Sequence, residues 1–540
     1  MNESKDKKTW LSWRKAGWIW LVFFGIVAVV YAVADISAMI HATYRPPYWL
    51  QSLLVAGVAA LLTTPFVFLL FARWAFAGWR NVRRIIIGVA ILATLVAAFY
   101  TEENWRGKRA WEDCKRELEA KGAVLDWNKY IPPPVPDDLN FFKSPKMANW
   151  FVKTQSALTN ELTLRMLNVD TVATNLNETA AAKYLAWSDQ FDPDFDLIRE
   201  ALKRPYARMD GDYTVPYEIP IPNFVASRML AQVLAQRTKC QLLLGHPEKA
   251  LHEITLLNDS RKWLEAAPTG KPMTLVAAMI NVAITGLYVE TLRDGFRLNG
   301  WQDPQLAVIQ EQLQKINTAP FVFEAFKEEQ AHTVYLGEHS ALRSDFRKVM
   351  TGELFGYGRG KTYMQRLKTH AYDLMPQGWV FQNLVVATKV HQQLIDTFDP
   401  TEQQIFPNRL ELAYLEVTTK LEHHSIFHLL VDIAIPNYSK AFQTFAYNQT
   451  RVNQTQIACA VERYHLARGE YPEALDALVP QFIEKIPRDI IGGEPLHYRR
   501  TGDGEFLLYS VGWNETDDGG MPGTLADVKK GDWGWQYPLK

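Results

Sequence analysis

Three long apolar runs crowd the first hundred residues, and no other feature of the chain constrains its architecture as strongly. Trp18 to Ile40 is apolar apart from Asp35, Trp49 to Phe71 carries no charge, and Ile85 to Tyr100 is almost purely aliphatic. Each is long enough, or nearly so, to cross ~30 Å of hydrocarbon as a helix. A core helix of a soluble domain would carry a polar stripe at the 3.6-residue period, and these runs carry none. Three membrane spans are therefore expected, in preference to a cleaved signal followed by a two-helix hairpin. The first run is too long, and too bulky with Trp and Phe, for a secretory segment.

Basic residues in the short connections orient the spans. Lys5, Lys7, Lys8, Arg14 and Lys15 precede the first, Arg73, Arg80, Arg83 and Arg84 precede the third, and Arg45 alone lies between the first and second. Such asymmetry places the amino terminus in the cytoplasm, and an odd span count then puts residues after 100 outside. Arg106, Lys108, Arg109, Lys115 and Arg116 pull the other way. They alternate with acidic residues and open a long domain, where the charge rule weakens. Trp10, Trp13, Trp18, Trp20, Trp49, Trp74, Trp79 and Trp105 fall near span ends, where indoles favour the headgroup zone. Asp35 reads as the outer end of a helix, because no ionisable partner occurs in the other runs.

Composition excludes several functions. With 58 basic against 59 acidic residues, the chain lacks the positive excess that phosphate recognition needs, so no nucleic-acid partner is expected. Its three cysteines, Cys114, Cys240 and Cys459, are widely spaced and form no C-x-x-C. They read best as small buried hydrophobes. Gly356-Tyr-Gly-Arg-Gly-Lys-Thr362 lacks the first glycine of a phosphate loop and follows no strand, so no nucleotide is expected either.

The remainder divides by pattern. An amphipathic stretch over 102–121 leads into the stiff Ile131-Pro-Pro-Pro-Val-Pro136. The domains read as 1–100 membrane-spanning, 101–138 juxtamembrane helix and linker, 139–437 helical, and 438–540 a small terminal module. The fold class is mainly α: three transmembrane helices, a large extracytoplasmic helical domain, and an α+β cap with a β-hairpin. In the helical part, Leu243-Leu-Gly245-His-Pro-Glu-Lys-Ala250-Leu251 looks like the turn of a tetratricopeptide hairpin, although Thr238 and Gln241 stand where a small and an aromatic residue are usual. One unit fits, so a helical hairpin is expected, with an ordinary helical domain as the plainer alternative.

The terminal module begins with a helix from about Asn437 to Arg468, followed by Gly469-Glu-Tyr-Pro472, a short Leu-rich helix and Pro487-Arg488-Asp489. Two strand-like runs, Pro495–Arg499 and Glu505–Val511, flank the Gly-rich turn at 501–504. Ser510-Val-Gly512, an acidic loop and Asp532-Trp533-Gly-Trp535 close the chain. This ordered series resembles the globular cap of type II secretion major pseudopilins, over about the last hundred residues. The whole chain resembles bacterial membrane-anchored exported proteins in which an anchor and a helical domain precede such a cap. The resemblance implies the inner membrane as location and calcium as ligand, with Ser510, Asn514, Asp517, Asp518 and Asp532 as the candidates by position. Clustered carboxylates and carbonyls supply the oxygens a hard cation needs, and an acidic turn is the alternative. Tyr438 to Ala460, which stands where a pseudopilin has its apolar polymerising helix, is polar and internal.

Two functions compete at this level. One is a membrane-anchored interaction or assembly protein, with the lipid bilayer and an envelope protein as partners and calcium stabilising the cap. The other is an exported metal-dependent hydrolase built on His424 and His428, four apart on one helical face, beside His423. His391 or Glu416 would then be recruited as a third ligand.

Overall fold

The computed structural model describes residues 73–74, 78–153, 161–167, 177–265, 267–269, 271, 274–339, 375–399, 402–421, 436–501, 505–525 and 527–537. The first two apolar runs, the 356–362 loop and His423, His424 and His428 lie outside the described residues. The chain divides into two compact units, Met1–Glu102 and Glu103–Lys540. The Pro-rich stretch at 131–136 lies inside the second.

The described residues are mainly helical. The longer helices, in chain order, are α1 (Trp79–Ala120), α2 (Glu178–Ser188), α3 (Asp192–Ala201), α4 (Phe224–Leu243), α5 (Pro247–Asp259) and α6 (Leu275–Arg297). Then follow α7 (Asp303–Gln314), α8 (Ala319–His339), α9 (Gln377–Ile395), α10 (Pro407–Leu421) and α11 (Pro436–Arg468). A two-residue ribbon joins β1 (Phe398–Asp399) to β2 (Gln404–Ile405), and a three-stranded antiparallel sheet has the order β3 (His497–Arg500), β4 (Phe506–Ser510), β5 (Trp533–Tyr537).

Helices α1 and α6 are both long and apolar enough to cross a membrane, but their surroundings differ. The apolar window of α1 is covered by none of the described residues, and Ile86, Val89, Leu92 and Leu95 are each more than half exposed. Over half of the α6 window is buried. That helix packs against α4, α5, α8 and α11, and it carries the fully occluded polar residues Asn281, Thr285 and Thr291. Asn281 Nδ2 donates to Glu265 Oε1 at 2.9 Å and Tyr288 Oη to Gln312 Oε1 at 2.9 Å. A helix buried over most of its apolar window, with Asn281 and Tyr288 bonded to neighbouring elements, is a core helix whatever its hydropathy.

The turn between α4 and α5 forms as its sequence dictates. Asn223 caps the start of α4 by accepting from Ala226 N at 3.2 Å. At the other end Gly245 takes φ +73°, His246 N donates to Gln241 O at 2.9 Å and Gly245 N to Leu242 O at 3.0 Å. This is the paired-bond C-cap that favours glycine. Pro247 opens α5, and buried Ala250 lets the two helices close as a hairpin. Cys114, Cys240 and Cys459 are all free thiols and buried, as small hydrophobes should be.

Within the second unit, the part of α1 from Glu103 onward makes a glycine-to-glycine crossing with α9. A Cβ on Gly378 would lie 1.8 Å from Glu103 O, and one on Gly107 would lie 2.1 Å from Gly378 O. Across this contact Trp379 Nε1 donates to Glu103 Oε2 at 2.8 Å and Gly378 N to Asn104 Oδ1 at 2.9 Å. Further along, Trp111 Nε1 and Lys115 Nζ both reach Glu338 Oε1 at 2.9 Å.

In the terminal region β3 and β4 pair antiparallel with Arg500 opposite Phe506, and residues 502–504 of the expected turn lie outside the described residues. The closing segment is a third strand, β5, with Trp535 opposite Leu508. Its buried Trp535 meets Phe296 of α6 edge-on at 5.6 Å. One hydrophobic cluster therefore contains Leu292 and Phe296 together with Phe506, Leu508 and Trp535.

Candidate functional site

The five residues singled out in the terminal loop divide into separate settings. Ser510 ends β4 fully buried, accepts from Gly512 N at 3.1 Å and is bonded to the buried Asp489. Asn514, Asp518 and Asp532 meet at the neck of the loop. Asp518 N and Gly520 N donate to the two oxygens of Asp532 at 3.2 and 2.6 Å. Asn514 Nδ2 and Gly531 N donate to Asp518 Oδ2 at 3.1 and 2.9 Å. Asp517 turns to the sheet, where Tyr509 Oη at 3.1 Å and Gly519 N at 2.8 Å donate to it.

Burial raises the Asp532 pKa above the usual carboxylate value, and the charges of Asp517 and Asp518 add to that effect, while backbone N–H groups oppose it. The donor types thus suit a hard cation. The loop as folded nonetheless directs its carboxylates to backbone amides, and a calcium ion would have to draw Asp517 and Asp518 inward. Among the described residues no three His, Cys, Asp or Glu side chains are gathered to hold a metal ion. Of the recruits proposed for a histidine site, Glu416 is exposed on α10. His391 is buried on α9, its Nε2 2.8 Å from Tyr438 Oη, and burial lowers its pKa to about 4.

Among the described residues a polar concavity lies elsewhere, where α3 and the turn before it face the α4–α5 hairpin. It is a cleft of ≈ 610 Å³, within the ~300–1,000 Å³ range of small-molecule sites. Asp189, Asp192, Asp196 and Arg199 come from the first wall, Arg237 from α4, and Lys249, His252 and Glu253 from α5. Arg237 is the floor. It is 3% exposed, stacks 5.5 Å over the Phe195 ring, and divides its donors among four partners. Nη1 reaches Ser188 Oγ at 2.8 Å and Asp189 Oδ1 at 3.1 Å, while Nη2 reaches Asp192 Oδ1 at 2.8 Å and Glu253 Oε1 at 2.9 Å. Burial works against the Arg237 charge, but bonding to Glu253 and the charges of Glu253 and Asp192 outweigh it and raise the pKa. Burial likewise raises the Asp192 pKa; Arg237 opposes this, whereas Asp189, Glu253 and Asp196 add to it. Arg199 Nη2 lies 3.1 Å from His252 Nδ1. Guanidinium can only donate, so His252 must be the acceptor in this contact and carry its proton on Nε2.

The sequence reading passed over this cleft, although part of its signal is local. Asp189, Asp192, Asp196 and Arg199 recur at spacings of three and four, which on helical backbone aligns them on one face. Arg237, buried on α4, needs carboxylate partners, and that need shows only once its burial is known. What no local pattern supplies is that Arg237 and Glu253 meet those acids. Comparisons of the chain with protein-family models, with curated proteins and with solved structures found no match.

Proposed function

We propose that this chain is a membrane-anchored protein of the bacterial cell envelope whose helical unit acts outside the cytoplasmic membrane as a binding and docking module. The observation that carries the reading is α1: its apolar window is covered by none of the described residues, which in water would leave a large apolar surface exposed. The two preceding apolar runs and the basic residues flanking them support three spans with the amino terminus inside.

The terminal module in this proposal is pseudopilin-like and calcium-stabilised. Support for the first part is the order of elements, α11 followed by an antiparallel sheet. Support for the second is the mutual repulsion among Asp517, Asp518 and Asp532, which a divalent cation would relieve. The module serves as a docking base and not as a filament subunit, because α11 is already spent on the core. Phe442, Phe445, Val452, Ile457, Cys459 and Val461 are all buried, leaving no free apolar face for polymerisation.

Protease added to intact spheroplasts tests the reading. The expected result is digestion of the region after residue 102, with α1 and the preceding segment retained in membranes through alkaline carbonate washing. Protection of that region until lysis, or release of the chain by carbonate, would overturn it.

A further inference from the structure

The cleft between α3 and the α4–α5 hairpin holds more negative charge than its own basic residues neutralise. Four carboxylates, Asp189, Asp192, Asp196 and Glu253, share two guanidiniums. The remaining lining charges, Glu248 and Lys249, cancel, so with neutral imidazoles the cleft carries two surplus negative charges. The surplus sits at the rim, where Asp189, Asp192 and Asp196 keep more than half of their side chains in solvent, and it gives the cleft a negative potential that favours a cation.

A second observation concerns hydrogen bonding. Glu253 is 5% exposed, and its Oε1 is bonded to Arg237, but its Oε2, fully occluded from solvent, accepts no hydrogen bond. The ion pair of Oε2 with Arg199 Nη2 is 4.0 Å long, beyond hydrogen-bond reach. A buried carboxylate oxygen without a donor is an expensive arrangement, and it lines a cleft large enough to admit one.

We propose that this cleft binds an organic cation, an ammonium or guanidinium group that donates to Glu253 at the floor while the rim acids Asp189, Asp192 and Asp196 neutralise its charge. A bare metal ion fits less well, because the carboxylates are spread around Arg237 and do not converge on one point. The inference is independent of the membrane topology proposed above and would hold for the helical unit in any compartment.

The shared chemistry has two sources, a free polyamine-like cation or the basic side chain of a peptide, and calorimetric titration of the detergent-solubilised full chain separates them. The probes are putrescine, agmatine, and tripeptides containing one lysine or one arginine, with calcium at matched ionic strength as control. Saturable binding of at least one organic cation is expected, weakening as salt rises. Preference for the diamines assigns a small-molecule ligand, and preference for the tripeptides assigns a basic side chain. Glu253→Gln should weaken binding about tenfold or more, because it removes a buried charged acceptor. The rim variant Asp196→Asn, at a largely exposed position, should weaken it by about threefold, and it keeps the test valid if Glu253→Gln fails to fold. No saturable binding of any organic probe, affinity unchanged in Asp196→Asn and Glu253→Gln alike, or calcium binding that is lost in those two variants would overturn the proposal.

Discussion

The crossing of α1 and α9 has no side-chain slack, so a single methyl group tests it. In Gly378→Ala the new Cβ would meet Glu103 O at 1.8 Å, Glu103 C at 2.5 Å and Asn104 Cα at 2.8 Å. All three are backbone atoms, so no rotamer change relieves the overlap. Reaching ordinary contact requires the helices to part by roughly 1.5 Å. That shift would carry the Trp379–Glu103 and Gly378–Asn104 hydrogen bonds, at 2.8 and 2.9 Å, out of range. Overpacking costs about 1–3 kcal/mol, and losing the bond to the Glu103 carboxylate adds about 1.5 kcal/mol or more. We therefore expect Gly378→Ala to lose about 3 kcal/mol of stability. Gly107→Ala meets the same contact from the other side, offset by about 1 kcal/mol of helix propensity. Because both report one interface, the double variant should cost clearly less than the two singles combined. Urea unfolding of the full chain in detergent, followed by tryptophan fluorescence, measures all three. Gly88→Ala is the control, since nothing lies within 4 Å of a Cβ there. Both single variants unfolding within about 0.5 kcal/mol of wild type, the usual scale of a neutral surface change, would refute the reasoning.

Two further outcomes are expected. Burial raises the Asp489 pKa to about 6, against the Ser510 and Ile491 hydrogen bonds. The folded chain therefore holds a proton that the unfolded chain releases near pH 4, and this residue's contribution to stability falls as pH rises from about 4 to about 6. In Asp489→Asn that dependence should vanish, so its stability relative to wild type should climb by up to about 3 kcal/mol across the interval; parallel pH profiles for the two proteins would contradict this. For the terminal loop, wild type should melt several degrees higher in excess calcium than in chelator, since ligand at a hundredfold excess over Kd adds about 2.7 kcal/mol. Asp517→Asn and Asp518→Asn should each abolish that difference, whereas equal melting of wild type in calcium and chelator would leave the loop an acidic turn held by backbone amides.

Features decided by neighbours in the chain were legible in the sequence. Gly245-His-Pro247 announces the α4–α5 turn, because left-handed backbone and a proline start are local requirements. The β3–β4 hairpin and α11 follow similarly from a Gly-rich turn and a helical pattern that starts beside Pro436. Tertiary structure decided the rest. β5 finds its partner edge in β4 and a ring for Trp535 in Phe296; its aromatics alternate at 533, 535 and 537, a local strand signal that names neither partner. Length and hydropathy admit α6 as a span beside α1, and only the helices around it turn it into a core element. Gly107 and Gly378 carry no local sign of their meeting. The cleft joins a local acidic face to Arg237 and Glu253, whose charges acquire a shared role once folding has brought α3 against the hairpin. Local backbone preferences act between residues a few positions apart and can be read there. Packing and charge act through space, between residues whose separation along the chain says nothing of their distance.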